Sequence, residues 1–156
     1  MADTINNGAS GRAAALFNSG CNCAQAALCA FAKSTGLTEE QLMLVSSDFG
    51  GGISGTHLGQ CGAVSGMLMA LGLIKGYSDV TDAEHKQRLY AEGQELMAAF
   101  EEEFGSKICS VLKDEIAPGF ADKPHPITEG MGECRPCTAF VAYAAKLLEE
   151  KLRNNG

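Results

Sequence analysis

Apolar residues recur along this chain at helical spacing. Ala24, Ala27, Leu28 and Phe31 fall at i, i+3, i+4 and i+7, which lays one apolar stripe on a helix over about 22–34. A shorter helix over about 10–18 should precede it and stop at Gly20. Thr38-Glu39-Glu40-Gln41 has the form of a capping box, with the Thr38 hydroxyl placed to accept from the Gln41 amide, so a further helix should run toward Asp48. Residues 50–59 read as loop. From Cys61 to Ile74 apolar residues surround the helix axis, which predicts a central helix, about residues 61–75, buried on every side.

Thr81-Asp82-Ala83-Glu84 forms a second capping box. Behind it Leu89, Tyr90, Gly93, Leu96, Met97, Phe100 and Phe104 make a wide stripe on a long helix. An interior glycine weakens a helix by roughly 1 kcal/mol relative to alanine, so Gly93 is expected to admit a neighbouring backbone, that of the central helix. Gly105 closes this helix, and 107–112 can form a short one carrying Cys109. The proline- and glycine-bearing stretch 113–132 reads as the longest irregular segment. A last amphipathic helix runs from about Cys134 to Leu152, with Phe140, Ala144, Leu147, Leu148 and Leu152 inward. No segment alternates as a strand does. The pattern therefore predicts an all-α, single-domain helical bundle over residues 1–156.

Composition narrows the partners. A chain of 156 residues with 46% hydrophobic content is large enough to bury a real core. A net charge of −7 repels phosphate backbones and anionic lipid, which argues against nucleic acid as a partner. The opening MADTINNGASGR lacks the basic-then-apolar order of a secretory signal, and the apolar run from Cys61 to Ile74 is shorter than the ~20 residues a membrane helix needs. A cytoplasmic protein, off the membrane, is the expectation, with a homodimer the default if it assembles with itself.

Seven cysteines stand out in such a chain: Cys21, Cys23, Cys29, Cys61, Cys109, Cys134 and Cys137. In a reducing compartment they read as metal ligands or redox groups more readily than as a disulfide framework. Gly50, Gly52 and Gly55 satisfy G-x-G-x-x-G, but a helix precedes them and no Lys-Ser/Thr pair follows, so no bound nucleotide is expected. The glycine loop instead delivers Cys61 to a helix start, where free amides and the macrodipole favour a thiolate. Gly62 and Ala63 leave little bulk beside that sulfur, and Gly66 keeps the next turn thin enough for another helix or a second sulfur to approach.

The same placement recurs. Cys23 lies in the first turn of its helix, and Cys134 and Cys137 at the start of the last one. Core packing predicts no such bias toward helix starts, whereas a thiolate cluster gathered by converging helix ends does. Cys134-Arg135-Pro136-Cys137 is a C-x-P-C sequence of the kind thiol–disulfide oxidoreductases use, with Arg135 adding positive potential, although a βαβ pattern is missing. Thr138 follows where haem attachment needs histidine, so haem is not expected. Cys29 points off the apolar stripe and reads as structural. Cys21 can place a sulfur beside the site, and His57 reads first as a solvated loop residue and second as a ligand or proton donor.

Cys61-Gly62-Ala63-Val64-Ser65-Gly66, with Asn22-Cys23-Ala24-Gln25-Ala26 before it and isolated cysteines after it, resembles the C_GCAxxG_C_C family. The likeness extends to FGGG before the central motif, MLMALGL after it, FGSKIC around Cys109 and the closing helix after Cys137. The resemblance implies redox work by cysteines in a bacterial protein and places the four family cysteines on Cys23, Cys61, Cys109 and Cys137. Cys21, Cys29 and Cys134 are then additions of this chain. The leading expectation is an iron–sulfur cluster or other thiophilic metal held by those four for electron transfer with an unidentified redox partner. Two further readings stay open: a metal-free oxidoreductase cycling a disulfide at Cys61 or at Cys134 and Cys137, and a structural zinc or thiol site with no redox role. Whether the protein is an enzyme or an electron carrier is left undecided.

Overall fold

A computed structural model describes residues 8–154, all of whose regular elements are helical. The first helix, α1 (Ala9–Asn18), ends as expected: the amides of Ser19, Gly20 and Cys21 turn back onto the carbonyls of Ala15, Phe17 and Leu16, with Gly20 at φ 121°. The second is shorter than its apolar stripe suggests. It divides into α2 (Cys23–Cys29) and α3 (Ala32–Thr35), because Phe31 leaves helical geometry and the Arg12 Nε of α1 donates to the Ala30 carbonyl at 2.9 Å. A donor from another helix thus takes the acceptor that a continuous helix would have used.

Asn22 caps α2 in a full capping box with Gln25, a signal present in the sequence as Asn-x-x-Gln. Both side chains also reach across to a fourth helix and the turn that ends it, Asn22 Nδ2 to the Ser47 carbonyl at 2.9 Å and Gln25 Nε2 to the Met43 carbonyl at 3.1 Å. That helix is α4 (Glu39–Ser46), capped by Thr38 and Gln41 as predicted, with a 3-10 turn over Ser47–Phe49.

The central helix, α5 (Gly62–Lys75), has Cys61 as its N-cap. Every residue from Gly62 to Met67 is buried, but the last turns emerge: Leu73 is 40% exposed, so burial on every side holds only for the first half. The backbone of α2 lies directly on this face. A Cβ built at Gly62 would stand 2.9 Å from both the Ala24 nitrogen and the Cys23 Cβ, and one at Gly66 would strike the Ala24 carbonyl oxygen and meet the Ala27 Cβ at 2.9 Å. The thin face expected around Cys61 is therefore used by a neighbouring backbone.

Helix α6 (Ala83–Phe104) is capped by Asp82, which accepts from the His85 amide at 3.0 Å, and not by Thr81, whose hydroxyl is held by Asp79 at 2.6 Å. Its buried stripe is Gly93, Leu96, Phe100 and Phe104, while Tyr90 is 53% exposed. Gly93 faces the leucine side chains of α5 (Leu68 Cδ2 3.4 Å from a built Cβ) and admits no backbone, which corrects the role expected of it. Cys109–Val111 forms the short α7, followed by a π turn over Leu112–Ile116 and 3-10 turns over Ala117–Ala121 and Pro126–Thr128, so the segment after Leu112 is a string of tight turns.

The final helix, α8 (Thr138–Asn154), begins four residues after the expected start at Cys134. Pro136 disfavours helical geometry at Arg135, and the Thr138 amide closes a turn onto the Arg135 carbonyl at 3.0 Å. Helix α8 packs on α1 and on α5, and Phe100, Phe104, Phe120, Phe140 and Tyr143 stack into one aromatic cluster at the α6–α8 contact. Among the described residues no helix is long and apolar enough to cross a membrane.

Two glycines of α5 should respond oppositely to alanine. Gly66→Ala drives a methyl into the α2 backbone and should cost about 2 kcal/mol or more of unfolding free energy despite its better helix propensity. Gly72→Ala, with nothing within 4 Å, should stabilise by roughly 0.5–1 kcal/mol. Urea denaturation of both variants checks the pair, and equal effects would show that the α2–α5 contact is looser than described. Asn22→Ala should cost about 1 kcal/mol in the same assay, through loss of the cap.

Candidate redox cysteine site

The loop entering the central helix is built, not slack. Residues 48–59 close on themselves through hydrogen bonds from the amides of Ser54, Gly55, His57 and Gly59 to the carbonyls of Asp48, Gly50, Gly51 and Gly52, all between 2.8 and 3.1 Å. Ile53, Ser54 and His57 take positive φ of 74°, 51° and 63°, a cost side chains tolerate only where surrounding bonds over-determine the backbone. The loop is stitched to the strip before α7: Cys61 N–H donates to the Lys107 carbonyl at 2.7 Å, Cys109 N–H to the Gly59 carbonyl at 2.9 Å and Ser110 N–H to the His57 carbonyl at 2.9 Å. Gly52 has no room for a side chain, since a Cβ there would lie 2.5 Å from the Cys109 Cβ. The glycine-rich stretch thereby fixes Cys61 and Cys109 relative to each other, and His57 contributes through its backbone.

Four of the cysteines share one neighbourhood. Cys61 caps α5, Cys23 opens α2 beside Gly62, Cys109 opens α7, and Cys137 precedes α8, its carbonyl accepting from the Phe140 amide at 3.1 Å. Charge on Cys23, Cys137 or Cys109 would raise the pKa of Cys61, and charge on Cys137 or Cys109 that of Cys23. Cys137 is affected by Cys109 in the same way. All seven cysteines are free thiols. Among the described residues no three or more Cys, His, Asp or Glu are arranged to hold a metal ion, so the four cysteines influence one another without forming a ready ligand set.

Burial dominates their electrostatics. It pushes the Cys23 thiol up to about 12 and Cys61 well above its ordinary value. The Ala63 amide favours the Cys61 thiolate but forms no cap hydrogen bond with the sulfur, and desolvation outweighs it. The helix-start argument for an activated thiolate at Cys61 therefore fails for the free thiol: a position at the first turn helps, but loss of water costs more. Cys109 and Cys137 are also raised, chiefly by burial, with Lys113 pulling each back down.

The remaining cysteines lie elsewhere. Cys134 stands outside α8, its sulfur 3.8 Å from Asn18 Nδ2 and 3.6 Å from the Gly132 carbonyl, and Cys137 stands just before the helix, so neither cysteine of the C-x-P-C sequence lies within it. Arg135 turns inward, donating from one Nη to the carbonyls of Phe17 (2.6 Å) and Cys21 (2.9 Å) and stacking 3.8 Å above the Phe17 ring. Its charge lowers the pKa of Cys21, Cys23 and Cys137, as the sequence suggested in kind. Cys29 is buried and raised to about 11, in keeping with a structural role, and Cys21 lies 4.0 Å from the Met43 sulfur. What the sequence did not disclose is a cavity of about 750 Å³ that opens at Cys137 and Cys134 and runs under the 113–129 segment.

These shifts give a pH signature. A thiol raised in the folded state stays protonated after its unfolded counterpart has ionised, so the stabilisation is complete below the ordinary thiol pKa and is lost as pH rises toward 12. The reduced protein should lose up to about 1.4 kcal/mol of stability per pH unit for each such thiol above pH ~9. Cys23→Ala should flatten that slope in pH-dependent denaturation, and an unchanged slope would place the burden on other groups.

No curated protein and no solved structure matches the chain. One family model does, over residues 21–151, a span that contains all four converging cysteines and the Cys-Gly-Ala-x-x-Gly stretch at the head of α5. The chain belongs to that family, C_GCAxxG_C_C, described as "Putative redox-active protein".

Proposed function

We propose that the protein is an electron carrier in which Cys23, Cys61, Cys109 and Cys137 together hold an iron–sulfur cluster or another thiophilic metal. The observation that carries this reading is the convergence of four cysteines from separate parts of the chain, Cys23 and Cys109 opening helices and Cys61 and Cys137 each standing just before one, in one electrostatic neighbourhood. Thiolates select soft metals over hard cations, and such a group would supply a reversible electron couple. The chain's own residues shape the surroundings. Gly62 and Gly66 bring the α2 backbone against α5, the Ala63 amide and the Arg135 guanidinium offer positive potential, and burial excludes water.

Loading asks two things of the site. The thiols must give up protons that burial makes them hold, so metal uptake should strengthen as pH rises. The sulfurs must also draw closer. Cys23 and Cys61 are fixed by the backbone contact between α2 and α5, and Cys109 by the bonds that tie it to the glycine-rich loop, so the adjustment falls to the turn carrying Cys137.

Anaerobic reconstitution with iron and sulfide tests the reading. A brown protein with charge-transfer absorption and whole-number iron content is expected, bleached by Cys23→Ser, Cys61→Ser, Cys109→Ser or Cys137→Ser and unaffected by Cys29→Ser. A colourless, metal-free protein that loses thiols reversibly on oxidation would overturn it in favour of disulfide cycling at Cys61 or at Cys134 and Cys137. Tightly held zinc with no redox response would overturn both.

A further inference from the structure

The cavity beside Cys137 has the size of sites that enclose small organic molecules: about 750 Å³, within a typical range of roughly 300–1,000 Å³. Its walls come from the turns of 113–129 on one side and the entry to α8 on the other. Phe120 supplies a ring face, the Phe17 ring being covered by Arg135, and the small side chains of Ala117, Ala121 and Ala139 leave the space open. Helical periodicity contains no trace of it, because the lining is drawn mostly from irregular chain.

The polar groups of the wall are already engaged with one another. Lys113 sits 3.9 Å from Asp114, and the pair contributes no net charge. Arg135 is committed to two carbonyls and to the Phe17 ring, and a further acid, Glu129, also belongs to the lining. His125 accepts from the Ile127 amide at its Nδ1 (3.1 Å), which leaves the proton on Nε2, and that nitrogen donates to Glu103 at 2.7 Å. Two cations against two anions, with the histidine bonded on both nitrogens, give a charged ligand nothing to neutralise. Apolar area and a ring face are what the cavity offers.

The geometry points to a binding site for an uncharged, ring-bearing small molecule, seated against Phe120 and the sulfur of Cys137. Cys137 belongs both to this wall and to the four-cysteine neighbourhood, so an occupant touches the candidate redox site directly. Its role as the partner of those cysteines rests on the redox reading above, whereas its binding rests on the cavity alone.

N-phenyl-1-naphthylamine, an uncharged fluorescent probe, tests the site on the full chain, with its sulfonated relative 8-anilinonaphthalene-1-sulfonate as the charged comparison. The uncharged probe should bind saturably at one site and slow alkylation of Cys137 by iodoacetamide several-fold while leaving Cys21 unchanged. Ala121→Trp fills the cavity from an exposed position and should weaken binding at least tenfold. Tyr90→Asp, at a separate apolar groove of about 300 Å³ between α5 and α6, should leave it intact. Binding lost in Tyr90→Asp and kept in Ala121→Trp would overturn the assignment, as would absent saturation or equal affinity for the sulfonated probe. Loss of iron uptake with probe binding intact would remove the redox reading alone, and loss of probe binding with iron uptake intact would remove this one.

Discussion

The contact on which this structure turns is the seating of the α2 backbone against the glycine face of α5. Helices usually meet through side chains, with their axes 8–10 Å apart. Here Gly62 and Gly66 remove the side chains on one partner, and the Ala24 backbone occupies the space. The consequence for chemistry is direct. Cys23 opens one of these helices and Cys61 caps the other, so the approach that packs the core also brings two cysteines together. Asn22 extends the same arrangement outward, capping α2 while bonding the Ser47 carbonyl and packing against Gly50.

A second constraint is the competition between helix-start potential and burial at the sulfurs. Free amides at a helix start stabilise a nearby thiolate by an amount on the order of 1 kcal/mol, whereas loss of hydration around a fully buried charge costs several. At Cys61 and Cys23 burial wins, so the uncomplexed thiols are protonated and poor nucleophiles. This bears on the three readings of the cysteines unequally. Exchange with a disulfide needs a standing thiolate, but a bound soft cation supplies the countercharge that burial withholds.

The glycine-rich approach to Cys61 has a different character from the flexible lead-in its composition suggests. Three non-glycine residues at positive φ, held by the loop's own amides and by the strip before α7, make it a rigid bracket between Cys61 and Cys109. Arg135 plays a comparable part at the other end, joining the entry of α8 to the end of α1 through the Phe17 and Cys21 carbonyls. Cys23, Cys61 and Cys109 are thus positioned by backbone contacts, and the adjustable element is the turn at Cys137.

The sequence by itself determined the helical class, the capping of α4, the thin face of the central helix and the family, because each is written in local spacing or in a contiguous motif. It misplaced three helix boundaries. The break between α2 and α3 follows from a distant group, an arginine donor on α1, whereas the cap of α6 and the late start of α8 follow from local competitors, Asp79 holding Thr81 and a turn around Pro136. Tertiary structure alone decided that the four cysteines share a neighbourhood, that burial outweighs their helix-start placement, and that a cavity opens beside Cys137. All three depend on which segments exclude water from one another, and neighbours far apart along the chain leave no periodicity to read.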